Sequence, residues 1–274
     1  MSLSPGAPSN RSSGHAGPPP GPVANLDIGA AVRAVFASIF KHPGAVLRTL
    51  FLPALLTSFL AVLQKDLPLD DPARFFALPL AVLPMTLAAV TWHRFQLLGE
   101  APGSLPRVGR PYLAFYIWFW VVWLIVFLSV LLVTTPLSLL IAALGDSGLA
   151  DAAFPIILAL AFAASAAVYL RLCFVFPASA LGERYGLGDS WRQTKGQTLR
   201  IFIVALMTSV PVVLVTLMVA AMLADTLGHD PAKPYGLPLS VILLFSFAQL
   251  LMVLPFISTL SVAFRQISGW VSPE

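Results

Sequence analysis

Long apolar stretches separated by short polar turns run through most of the chain. Six of them exceed the about 20 residues that carry a helix across a bilayer: residues 44–64, 73–98, 112–144, 152–181, 198–224 and 237–264. None shows a sustained alternation of apolar and polar positions, which excludes a membrane β-barrel. Their number and length also exclude core helices of a soluble domain. The fold class expected is all-α: a polytopic membrane protein of six transmembrane helices in three hairpins, with one shorter helix ahead of them.

That shorter helix is read from periodicity. Ile28, Val32, Val35, Phe36 and Ile39 recur at helical spacing and form one face, while Arg33, Ser38 and Lys41 lie off it. Asn25 or Asp27 is placed to cap its start. Such a helix is read as lying along the inner leaflet, with packing on the protein's own cytoplasmic face the alternative. Before it, residues 1–24 hold six Pro, four Gly and five Ser, a composition that reads as a disordered tail. Arg11 is followed by no apolar segment, so the tail is not a secretory signal, and the first span is expected to act as its own insertion signal. The expected organisation is a tail (1–24), an interfacial amphipathic helix (25–42), a six-helix transmembrane domain (43–266) and a short C-terminal tail (267–274).

Composition agrees with this pattern and adds little: 58% of residues are hydrophobic and 10% charged, against about 25% charged in soluble domains. Charge adds more. Arg11, Arg33, Lys41, Arg48, Arg94, Arg107, Arg110, Arg184, Arg192, Lys195, Arg200 and Arg265 fall on one side of the expected spans. The other side has Lys65, Arg74 and Lys233, with the acids Asp66, Asp70, Asp71, Asp146, Asp151, Asp225 and Asp230. A 12-to-3 bias of basic residues places both termini in the cytoplasm by the positive-inside rule. The net charge of +4 therefore reports topology and not a nucleic-acid partner. The expected partners are the lipid bilayer, anionic lipids at the cytoplasmic face and other membrane proteins. The single cysteine, Cys173, permits no intramolecular disulfide and reads as a small buried apolar residue.

An internal echo supports the hairpins. Residues 38–48 match 190–200 at Ser38/Ser190, Gly44/Gly196, Leu47/Leu199 and Arg48/Arg200. Leu98-Gly99-Glu100 is repeated as Leu181-Gly182-Glu183. Each span pair is thus entered from the same side, as in parallel repeats.

Candidate chemistry is sparse. His15, His42, His93 and His229 lack metal-ligand spacing, and no nucleophile elbow or phosphate loop is present. Asp66, Asp70 and Asp71 read as a solvated acidic turn, with weak divalent-cation attraction the alternative. No cofactor, metal or catalytic residue is assigned, and no enzymatic activity is expected. Tyr112 to Trp123 is dense in aromatics and suits a cytoplasmic headgroup belt. Ala159, Ala163 and Ala167 form a small-residue stripe suited to close packing within the bundle. Proline occurs in every span, which frees backbone carbonyls and can line a path.

Arg171 is the most informative residue. It ends the apolar run begun at Phe154, where a cation costs about 2.5–3.5 kcal/mol at bilayer depth. It either snorkels to the interface, pairs with Glu183 or Asp189 after a bend at Pro177, or meets a substrate or lipid phosphate. The candidate polar cluster is Arg171, Glu183, Asp189, Trp191, Lys195 and Arg200.

The stretch from Arg171 to Arg200 resembles a known pattern through Arg171, Pro177, Glu183, Ser190-Trp191, Thr194-Lys195-Gly196 and Arg200. It is similar to the region before the fifth span of the YciC-like proteins and of the membrane domain of certain bacterial glycerophosphoryl diester phosphodiesterases. The resemblance implies an inner-membrane protein of bacterial type. The diesterases carry catalysis on a separate barrel, which is not expected here, so their activity is not carried over. Two functional expectations follow: a non-enzymatic inner-membrane protein with a structural or regulatory role in the envelope, or a small-molecule or lipid transporter with Pro-kinked helices around Arg171.

Overall fold

The computed structural model describes residues 25–64, 71–103, 108–143, 149–226 and 239–271, which are helical with no strand among them. The helices are α1 (Ile28–Phe40), α2 (Pro43–Gln64), α3 (Pro72–Leu98), α4 (Arg110–Ala143), α5 (Leu149–Leu172), α6 (Val175–Leu181), α7 (Leu187–Gln193), α8 (Thr198–Thr226) and α9 (Leu239–Ser268). Five stretches are long and apolar enough to cross a bilayer: Pro43–Gln64, Arg110–Ile141, Ala153–Leu181, Thr198–Met222 and Leu239–Ser268. The chain is an all-helical, multi-pass membrane protein in contact with lipid. Residues 1–24, 65–70, 104–107, 144–148, 227–238 and 272–274, and with them the expected N-terminal tail, Asp66, Asp70 and Arg107, lie outside the described residues.

α3 is the candidate span that is not among the five. It has 27 residues, or about 40 Å at 1.5 Å per residue, long enough to cross a bilayer. Its last turns carry Trp92-His93-Arg94-Phe95-Gln96, and these are spent on other helices. The Trp92 indole donates to Ser258 Oγ at 2.7 Å, His93 Nδ1 lies 2.7 Å from Ser261 Oγ, and Arg94 Nη1 donates to the Ala180 carbonyl at 2.9 Å. Trp92 and His93 are fully buried. Local chemistry sets its ends. Asp71 accepts from the Ala73 amide at 2.8 Å, and Pro72 begins the helix, where its missing N–H costs nothing. Gly99 at φ +71° closes it, a left-handed conformation that glycine takes without strain. α6 ends in the same way at Gly182, φ +79°. The repeated Leu-Gly-Glu is therefore a helix stop used twice.

The core sits at one end of the bundle, the end that carries α1, α6 and α7. Residues 172–180 are all buried there, with Leu97, Phe115, Ile201, Val204, Leu254 and Phe264 around them. Away from this end the helices face outward. In the most apolar stretch of α4 only 6% is buried within the protein, against 33% in α2. Outward-facing Leu132, Leu139, Phe154 and Phe162 are what lipid requires.

α9 is the hub. Its Ser246 hydroxyl lies 3.0 Å from that of Ser58 on α2, and Thr259 lies 3.0 Å from Thr208 on α8. With the Ser258 and Ser261 contacts to α3, one helix makes hydrogen bonds to three others. Between apolar helices in lipid there is no hydrophobic preference for helix over solvent, so packing and such bonds, each about 0.6 kcal/mol, hold the bundle.

Two sequence expectations are corrected. The alanine stripe is not an internal packing face: Ala159, Ala163 and Ala167 are exposed, while Ala161 and Ser165 on the adjacent face are buried. The aromatic tract is also divided. Tyr112 and Phe115 are buried in the core, with Phe115 against His93 and Phe176, while Ile117 and Trp123 face outward. An aromatic-rich helix supplies both faces because core and lipid are equally apolar.

Candidate functional site

The six clustered residues lie where α5 gives way to α6 and α7. The bend is at Cys173–Phe174 and not at Pro177. Proline excludes the carbonyl four residues before it by lacking an N–H and by ring contact, and that carbonyl belongs to Cys173. The break strands backbone groups inside the core. α7 satisfies them. Ser190 Oγ donates to the Arg171 carbonyl at 2.8 Å and accepts from the Phe174 amide at 3.1 Å. The Thr194 hydroxyl, one turn on, lies 3.1 Å from the same Arg171 carbonyl and 2.8 Å from that of Ser190. Ser190 and Thr194 are both fully buried. Neither belongs to the sequence-derived cluster, although both are among the residues that carry the resemblance and their spacing of four places them on one helix face.

Among the described residues Arg171 pairs with no acid. Its guanidinium lies over the Trp191 ring, 5.0 Å from the centroid, and Nη1 donates to the Trp191 carbonyl at 3.1 Å. The expected partners are committed elsewhere or distant. Asp189 accepts from the Gly186 amide at 3.0 Å and pairs with Arg192 at 2.5 Å. The first contact starts α7 as half of a capping box, which Gly186 has no side chain to complete. Both contacts favour the ionised carboxylate and hold Asp189 below the usual carboxylate range, the Gly186 hydrogen bond most. Glu183 is exposed, and its carboxylate makes no ion pair among the described residues. Local reach decides the outcome: Asp189 meets groups three residues away on either side before it can meet Arg171.

The other two cluster residues diverge. Lys195 is exposed. Arg200 turns to the N-terminal segment, where Nη1 donates to the Leu26 carbonyl at 3.3 Å. Gln197, absent from the sequence-derived cluster, is the residue that fixes that segment. Its Oε1 accepts from the Leu26 amide at 3.2 Å and its Nε2 donates to Asn25 Oδ1 at 2.8 Å. Asp27 caps α1 by accepting from the Ala30 amide at 2.9 Å. α1 then lies on α8 and α9 with Leu26, Ala31 and Val35 buried. The amphipathic helix thus turns its central face onto the protein, and Phe40 at its end remains 71% exposed.

A second ion pair stands nearby. Arg94 binds Glu100 through two nitrogens at 2.8 and 2.6 Å while its third reaches α6. Tyr185 donates to Gln193 at 2.8 Å, and burial with the nearby Asp189 charge pushes its phenol above the usual range, so it stays a neutral donor. Among the described residues no three His, Cys, Asp or Glu side chains come together. Chemically, the arrangement ties the α5–α6 break to α7 and the N-terminal segment to the start of α8, with Arg171 beside an exposed tryptophan. No protein-family model, no curated protein and no solved structure matches the chain.

Proposed function

We propose that the chain is a non-enzymatic integral protein of a bacterial inner membrane, with a structural or regulatory role in the envelope. It crosses six times, α3 included, with both termini in the cytoplasm and the α1 end at the inner leaflet. One observation carries the structural reading: the polar side chains around the α5 break, with Asp189 and Arg200 of the expected cluster, are spent on the protein's own backbone. Ser190 and Thr194 hold the α5 break, Asp189 starts α7, and Arg200 ties down the N-terminal segment. A transport path needs polar groups held for cargo, whereas these make a rigid plate. The resemblance to the YciC-like proteins supports the membrane assigned. The plate's exposed basic residues, Arg33, Lys41, Arg48, Arg184 and Lys195, suit anionic lipids, and other membrane proteins are the further partners of this reading.

The alternative keeps Arg171 at the mouth of a path lined by α5, α8 and α9, each with an internal proline. Cysteine substitution along these helices in a Cys173→Ala background separates the two. The structural reading expects mid-span positions that stay unreactive to a membrane-impermeant thiol reagent. A reactive stripe at helical spacing establishes the transporter instead.

A further inference from the structure

Thr49 is 3% exposed, yet its hydroxyl has no hydrogen-bond partner. A buried hydroxyl without a partner is costly, and most are satisfied by protein or water. The residue four positions on is Pro53, inside α2. Proline has no N–H, so the Thr49 carbonyl also lacks its intrahelical donor. One residue therefore carries a hydroxyl without a partner and a carbonyl without its helical donor. Beside them is a crevice of about 10 Å³ lined by Arg48, Thr49 and Pro53 of α2, Leu87 and Thr91 of α3, and Gly103 beyond it. Thr91 brings a second hydroxyl, 3.3 Å from that of Tyr112.

We propose that this crevice is a binding site for one ordered water molecule, held by the Thr49 hydroxyl, the Thr49 carbonyl and the Thr91 hydroxyl. Size and partners decide the ligand. A water needs about 10–15 Å³ and two to four polar neighbours, and the site offers the lower bound of the first and three of the second. A phosphate does not fit the volume. A cation would find oxygens only, as at broken helices of transporters, but the Arg48 charge on the same crevice opposes it. The water stands in for the N–H that Pro53 cannot supply and joins α2 to α3, two helices of the first hairpin. This site is independent of whether the protein is structural or a transporter.

The sign of a stability change tests it. The full chain is purified in detergent as wild type, Thr49→Val, Thr49→Ser and Pro53→Ala, with Thr49→Val also made in the Pro53→Ala background. With water bound, Thr49→Val removes an anchor and lowers Tm by about 2–4 °C, the shift expected for one net hydrogen bond in a chain of this size. Thr49→Ser stays near wild type. In Pro53→Ala the new N–H takes the carbonyl, so the loss caused by Thr49→Val shrinks. A Tm that rises in Thr49→Val overturns the proposal, because an isosteric apolar group then relieves an orphan hydroxyl. An equal loss in both backgrounds also overturns it, as does a Tm raised by sodium chloride but not by choline chloride, which assigns a cation. A density map that resolves ordered water gives the second readout. A peak about 2.7–3.0 Å from Thr49 Oγ1 is expected, and an empty crevice overturns the site.

Discussion

Arg171 shows how a single charge settles at the end of an apolar helix. Its cost is met by a carbonyl and an aromatic face 5.0 Å away, with no counter-ion among the described residues. Trp191 is 46% exposed, which puts the cation–π part at the low end, about 0.5–1 kcal/mol. Arg171→Ala is therefore expected to lower Tm by about 2–4 °C, on the scale of 1 kcal/mol, in thermal unfolding of the purified protein. Glu183→Ala is expected to leave it unchanged, and a matching loss there would restore the ion pair. The charge itself was legible in the sequence and its partner was not. Opposite charge is visible in a sequence, whereas a stacked ring and a freed carbonyl appear only once α5 breaks. Asp189 gives a second test at this scale. Its folded pKa is depressed, so its contribution is present above the ordinary carboxylate value of about 3.9 and is lost as pH falls through the lower folded value. The Gly186 amide resonance should titrate with a midpoint below about 3.9, and Arg192→Gln should move that midpoint upward by removing one of the two stabilising contacts.

At the scale of elements, periodicity located the long helices to within a few residues, read α5 and α6 as one span without α7, and could not say what each face meets. Bundle and lipid are both apolar, so Val35 buried on the protein and Phe40 left exposed obey the same pattern. The alanine stripe on α5 failed for that reason. What distinguishes the docked helix is polar: α1 is held at its start by Gln197 and Arg200, by Asp27 N–H to Gln266 Oε1 at 3.3 Å, and near its end by Gln96 Nε2 to Ser38 Oγ at 2.8 Å. Gln197→Ala removes two of these bonds at once, each worth about 0.5–1.5 kcal/mol net. Amide exchange across Ile28–Phe40 should then accelerate about tenfold, with residues 254–264 of α9 unchanged. Acceleration of both together would mean that α1 is integral to the bundle and opens only with it. The hydrogen bonds of Gln197 had no sequence signal, since its partners lie about 170 positions away in the chain.

For the whole molecule, the remaining issue is which helices cross and which way they point. α3 ends in polar turns, yet Trp92 and His93 there are buried against α9, where lipid does not see them, and Arg94 reaches the Ala180 carbonyl of α6. Hydropathy counts such residues as exposed to lipid, and the structure removes that cost. α3 also packs along α2, so a crossing α2 needs α3 to return the chain to the plate, where Arg94 and Glu100 meet. Six crossings then put Ala101 and Gly188 on one side, the side with twelve of the basic residues, and Ser147 on the other. Both Ala101 and Gly188 are exposed, and a side chain at Gly188 meets open space. Single cysteines at these three positions, in a Cys173→Ala background, are to be labelled in intact cells with an impermeant thiol reagent. Ser147→Cys should react, and Ala101→Cys and Gly188→Cys should react only after the membrane is opened. Labelling of Ala101→Cys from outside would remove α3 from the set of spans. Reversed labelling at all three would invert the protein and put the basic plate, with Arg171 and Trp191, on the outer face. That outcome would break the positive-inside rule at a 12-to-3 bias of basic residues, so the experiment tests the strongest inference that charge alone supports.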